Sequence, residues 1–90
     1  MKAYSITYDL KAPGRNYESL YEAIKQTGKW WHYLESTWLV ITDKTSRQIW
    51  DSLAPTIDKN DLLLIIEIRN NRYGWLPEKA WEWINKNVPA

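Results

Sequence analysis

The strongest constraint on this chain is the order in which its hydrophobic period changes. Residues 2–9, KAYSITYD, set Tyr4, Ile6 and Tyr8 against Ala3, Ser5 and Thr7, the two-residue alternation of a strand with one large apolar face. Pro13 and Gly14 then break the chain. Asn16 reads as the N-cap of a helix whose Tyr17, Leu20, Tyr21 and Ile24 fall at i, i+3, i+4 and i+7, and Gly28 stands where a left-handed residue would close it. WWHYL at 30–34 and TWLVIT at 37–42 return to strand character. The two residues between them, Glu35 and Ser36, predict a tight antiparallel hairpin, with a bulged or longer turn as the alternative because neither suits a primed turn.

Thr45 and Gln48 have capping-box spacing ahead of a helix carrying Ile49, Trp50 and Leu53, which Pro55 stops or bends. LLLIIEI at 62–68 shows no clean alternation before Glu67, the pattern of a strand buried on both faces. Pro77 opens a last helix that displays Ala80, Trp81 and Ile84 on one side. The order strand, helix, strand, strand, helix, strand predicts an α+β fold, a ferredoxin-like βαββαβ sandwich with antiparallel sheet order 4-1-3-2. One domain spans 1–90, with a core over 1–68 and a C-terminal helical extension over 69–90. Two helices would cover one sheet face and leave the other open.

Ninety residues leave little core to spare, so a partner surface would help the fold. Seven Trp and six Tyr, with no Phe, mean that almost every ring carries an N–H or O–H needing a partner when buried. The absence of cysteine excludes disulfides and thiolate metal sites and makes the cytoplasm the expected location. No apolar run reaches signal-peptide or membrane-spanning length, so no membrane partner is expected. Twelve Lys and Arg against eleven Asp and Glu lack the broad basic footprint of a general nucleic-acid binder, so any such contact would be local. Lys11 with Arg15, and Arg69 with Arg72, are the candidate clusters.

The predicted topology gathers chemistry at one sheet edge. The first strand leaves at Asp9, the hairpin turns at Glu35 and Ser36, and the fourth strand starts just after Asp61, so these acids share an edge with Thr37 and with the loop carrying Lys11 and Arg15. By pleat, Asp9 lies on the Ser5 and Thr7 side, the open face. Asp9 is either a turn residue or an acid that holds a metal or a proton.

ITYDL, the following loop with Arg15, the helix closing at Gly28 in TGKW, and the hairpin HYLESTWLV together resemble the CRISPR-associated protein 2 family and its VapD and SinR-like relatives. The resemblance runs from residue 1 to about 68, and GWLPEKAWEWIN is most similar to the SinR-like branch. It implies a ferredoxin-like homodimer whose protomers face each other through their sheets. It further implies, for some members, metal-dependent cleavage of RNA or DNA, with Asp9 from both subunits holding Mg²⁺ or Mn²⁺ as metal ligand and catalytic acid. Lys11, Arg15 and Ser36 would then contact nucleic acid.

Other residues carry two readings each. His32 is a packed or hydrogen-bonded ring, or a general base. Ser36 orients a phosphate or closes the turn. Trp38 stacks on a base or is buried in a dimer interface, where Trp is enriched. Glu67 is either part of an interface network with Ser5 and Thr7, whose hydroxyls satisfy the acid if it falls on the open face, or an active-site acid. Two functions follow: a nucleic-acid-related dimer, with metal-dependent endonuclease activity as the form the resemblance implies, and a non-catalytic dimeric module that recruits another protein in a mobile-element or defence setting.

Overall fold

The computed structural model describes residues 1–90. The elements are β1 (Lys2–Asp9), α1 (Glu18–Thr27), β2 (Lys29–Leu34), β3 (Thr37–Thr42), α2 (Ser46–Leu53), a 3₁₀ turn at Ala54–Thr56, β4 (Leu62–Ile68) and α3 (Glu78–Asn87). They build one four-stranded sheet in the order β2-β3-β1-β4, with every neighbouring pair antiparallel. This is the strand order expected from the periodicity, read from the opposite edge.

The alternation in β1 sorts the molecule into two cores. Tyr4, Ile6 and Tyr8 join Trp38 and Val40 of β3 beneath Leu20 and Ile24 of α1 and Ile49 and Leu53 of α2. Each fully buried aliphatic side chain here stabilises the fold by about 1.5–3 kcal/mol relative to exposure. The second core lies on the other sheet face, where Ala3, Trp31, Leu39 and Ile41 pack under Ala80, Ile84 and Val88 at the end of α3. The sheet face expected to be open is therefore half covered. A helix with an apolar stripe must bury it, and this is the one face that α1 and α2 leave free.

Local signals set the helix ends. Thr45 and Gln48 form the reciprocal capping box, Gln48 N donating to Thr45 Oγ1 at 3.1 Å and Thr45 N to Gln48 Oε1 at 2.9 Å. Asn16 Oδ1 accepts from Glu18 N at 2.8 Å, so its side chain serves the first turn of α1 although Tyr17 occupies the cap position. Gly28 corrects an expectation. Its backbone is extended rather than left-handed (φ 165°), and glycine is needed because a Cβ would overlap the Ile41 carbonyl oxygen of β3.

β4 corrects another. Leu63 and Ile65 turn toward the helices, while Leu62, Leu64 and Ile66 on its other side are 59%, 60% and 53% exposed. β4 lies at the edge farthest from β2, and the α3 core takes in only its last residue, Ile68, leaving Leu62, Leu64 and Ile66 uncovered.

Candidate functional site

The edge where β1 ends is organised by Asp61. This buried carboxylate accepts hydrogen bonds from Lys11 N at 2.6 Å, Asp58 N at 2.8 Å and the Tyr17 hydroxyl at 2.8 Å. Burial alone would raise its pKa, but the Lys11 and Asp58 amides, the Tyr17 hydroxyl and the nearby Arg15 charge together hold it below the ordinary carboxylate value. Tyr17 responds in the opposite sense, its pKa raised by burial and by donating to Asp61. The hydroxyl also accepts from Ala12 N at 3.2 Å. Asp61 thus ties the β1–α1 loop to the segment before β4, and its lone pairs are spent on that task.

Arg15 belongs to the same fastening. Its Nη2 donates to the Thr56 carbonyl at 3.2 Å, its Nη1 lies 3.9 Å from Asp58, and the guanidinium sits over the Tyr17 ring at 5.5 Å. Lys11 reaches back to Asp9, Nζ to Oδ2 at 3.2 Å, an exposed pair that contributes little to stability. Both cations assigned to nucleic acid from the sequence therefore have partners within the chain. Ser36 lies in the hairpin turn, where its carbonyl accepts from Tyr8 N at 3.1 Å.

Asp9 falls on the Ser5 and Thr7 side, opposite Leu62, and is exposed. The hydroxyls of Ser5 and Thr7, and of Thr7 and Thr37, are each 3.4 Å apart, forming a row across β1 and β3 on the uncovered half of the sheet. No group of three or more His, Asp or Glu side chains could hold a metal ion. One chain offers a single carboxylate faced by an ammonium, which does not fit Mg²⁺ or Mn²⁺, cations that need an oxygen-rich shell.

Two interface assignments are corrected. Trp38 is only 2% exposed and lies in the helix-side core, its Nε1 donating to the Tyr8 hydroxyl at 3.0 Å. That hydroxyl donates to the Glu35 carbonyl at 3.3 Å, and burial is the main cause of its raised pKa. Trp38 is therefore a core residue with a satisfied N–H. Glu67 pairs with Tyr4 across the β1–β4 ladder, while Ser5 faces Ile66 and Thr7 faces Leu64. The pleat puts Glu67 on the helix side, exposed at the strand's end and away from the two hydroxyls. His32 stacks on Trp38 with ring centroids 3.8 Å apart, and its Nε2 lies 3.1 Å from the Glu35 carbonyl, the packed reading of that residue.

A groove of about 530 Å³ between β2 and α3 was not singled out in the sequence. Lys29 and Tyr33 line it from β2, and Lys79, Glu82, Trp83 and Lys86 from α3. None of the three lysines has a carboxylate within ion-pairing distance. Their signal was present in part, since Lys79, Trp83 and Lys86 recur at i, i+4 and i+7 on the last helix. What the sequence lacked was the docking of α3 beside β2, which adds Lys29 and Tyr33.

Comparison with family models, with curated proteins and with solved structures finds no match for this chain.

Proposed function

We propose that the protein is a ferredoxin-like homodimer of the CRISPR-associated protein 2 and SinR-like group that binds nucleic acid without cleaving it. The observation that carries this reading is the basic and aromatic groove between β2 and α3. A chain with a net charge of only +1 collects Lys29, Lys79 and Lys86 there with Glu82 as the single acid. Lys79 and Lys86 are two helical turns apart, roughly 10 Å along the axis, with Trp83 between them. Cations that track a phosphate backbone, interleaved with rings on which bases stack, are the chemistry of a single-strand binding groove.

Dimerisation is supported by Leu62, Leu64 and Ile66, which form an apolar strip on an edge strand that no helix, proline or lysine protects. A two-fold axis through this strip would cover it in both protomers and bring the two Asp9 residues to the same interface. A second reading, metal-dependent cleavage by that Asp9 pair with Mg²⁺ or Mn²⁺, rests on this adjacency alone.

The test is binding and cleavage of labelled single-stranded RNA and duplex DNA by wild type, Lys29→Gln/Lys79→Gln/Lys86→Gln and Asp9→Asn, each checked for mass by light scattering. Loss of three phosphate contacts should make the dependence of log affinity for single strands on log salt shallower by about 2. The proposal fails if wild type binds neither nucleic acid at low salt. Metal-dependent cleavage lost only in Asp9→Asn would replace it with the nuclease reading.

A further inference from the structure

A second groove lies on the other flank of α3, between that helix, the uncovered sheet face and the β4–α3 connection. Its volume is about 270 Å³. Leu39 and Trp31 form part of the floor, and Ile84 and Trp81 of α3 form a wall. The Trp31 indole N–H donates to the Ala80 carbonyl at 3.2 Å, so this floor offers carbon rather than an unpaired donor. No buried side-chain polar atom in the molecule lacks a partner. The Ser5 and Thr37 hydroxyls, each 3.4 Å from Thr7 Oγ1, also line the sheet side, so an entering group meets a mostly apolar interior with two neutral hydroxyls and no charge.

The rim is different. Arg69 and Arg72 are the only charged residues lining the groove, and no Asp or Glu does. Neither guanidinium takes part in any of the molecule's ion pairs. Arg72 is held by neutral amides, donating to Asn85 Oδ1 at 2.8 Å and to Asn70 Oδ1. These bonds fix its direction and leave its charge uncompensated. Tyr73, fully exposed, contributes an aromatic face at the same mouth.

An apolar interior with a small number of fixed polar groups at its mouth is the usual construction of a small-ligand site. We infer that this groove binds a small amphiphilic carboxylate, its hydrocarbon or aromatic body between α3 and the sheet and its carboxylate at Arg69 and Arg72. The charge at the rim selects the sign of the ligand, since guanidinium presents a planar fork suited to carboxylate oxygens. The size selects a fragment-sized body, because the volume lies just below the range occupied by drug-sized ligands. The site is distinct from the lysine groove and does not depend on nucleic-acid binding.

The test uses 4-phenylbutyrate as the probe and 4-phenylbutylamine as its charge-reversed control, titrated into ¹⁵N-labelled full-length protein and followed by amide chemical shifts. The carboxylate should shift Leu39, Ile68 and Ile84 saturably with a millimolar or tighter dissociation constant, the scale expected for a ligand of this size. The amine should bind at least about tenfold more weakly, and Arg69→Gln/Arg72→Gln should weaken the carboxylate by a comparable factor. The inference is overturned if the carboxylate gives no saturable shift, if the amine binds as well, or if the shifts map to Lys29, Lys79 and Lys86. The comparison of the two probes on wild type stands even where the double variant loses its fold.

Discussion

Replacing Asp61 by Asn tests whether one buried carboxylate holds the β1–α1 loop in place. Asn keeps the shape but removes the charge, and its amide nitrogen must face one of the donors that now point at Oδ1 and Oδ2: Lys11 N, Asp58 N or the Tyr17 hydroxyl. Losing charge assistance and stranding one donor should cost about 3 kcal/mol, discounted for the water that reaches a loop. In a domain of this size that lowers Tm by about 12–24 °C. The pH dependence follows from the sign of the shift. The folded pKa lies below the ordinary 3.8, so Asp61 contributes its full stability above that value and loses it as pH falls through the folded pKa. The gap between wild type and Asp61→Asn should therefore be widest at neutral pH and close in acid below about pH 4. Urea unfolding followed by tryptophan fluorescence reads both. A neutral-pH cost under about 1 kcal/mol, or a gap unchanged in acid, would refute the assignment.

Three further outcomes follow from single contacts. Gly28→Ala should destabilise by about 2 kcal/mol or more in denaturant titration, because the new Cβ meets the Ile41 carbonyl, which the sheet cannot easily move. Thr45→Ala removes the oxygen that accepts from Gln48 N and should cost about 1 kcal/mol, measured the same way, with Thr45→Ser recovering most of it. Leu64→Asp places a charge in the exposed strip of β4 and should leave the unfolding midpoint at low concentration nearly unchanged, while on the proposed dimer light scattering should give twice the chain mass for wild type and the single-chain mass for the variant at the same concentration.

Strand order was legible because Tyr4, Ile6 and Tyr8 alternate cleanly and because helix signals separate the strands in a way few topologies accommodate. The Thr45 and Gln48 box was legible for the same reason: capping is local, and residues three apart decide it. Trp38 was not, since a ring at a strand position has two faces to choose from and the choice depends on which side α1 and α2 occupy. Glu67 illustrates the same limit. The pairing of Tyr4 with Glu67 fixes its face, and no residue inside the strand encodes that pairing. Arg15 looked like a free cation because its partners, Thr56 and Asp58, lie far along the chain. Long-range pairing, rather than local propensity, is what separates the candidate site as read from the candidate site as built.

The position of α3 explains why function would divide between two sides of one helix. Ala80, Ile84 and Val88 commit its apolar stripe to Ala3, Trp31, Leu39 and Ile41, which leaves the flanks of the helix to face β2 on one side and the β4 connection on the other. The β2 flank carries Lys79 and Lys86, strongly hydrated point charges suited to a polyanion that slides and exchanges. The other flank meets Arg69 and Arg72, whose forks favour a single oriented carboxylate. The same commitment leaves most of β4 uncovered, so Leu62, Leu64 and Ile66, each a little over half exposed, forgo about 1–2 kcal/mol of burial apiece. Against a total stability of about 5–15 kcal/mol that is a large reserve for a chain to leave in water, and covering it with an identical strip recovers it twice, once in each copy.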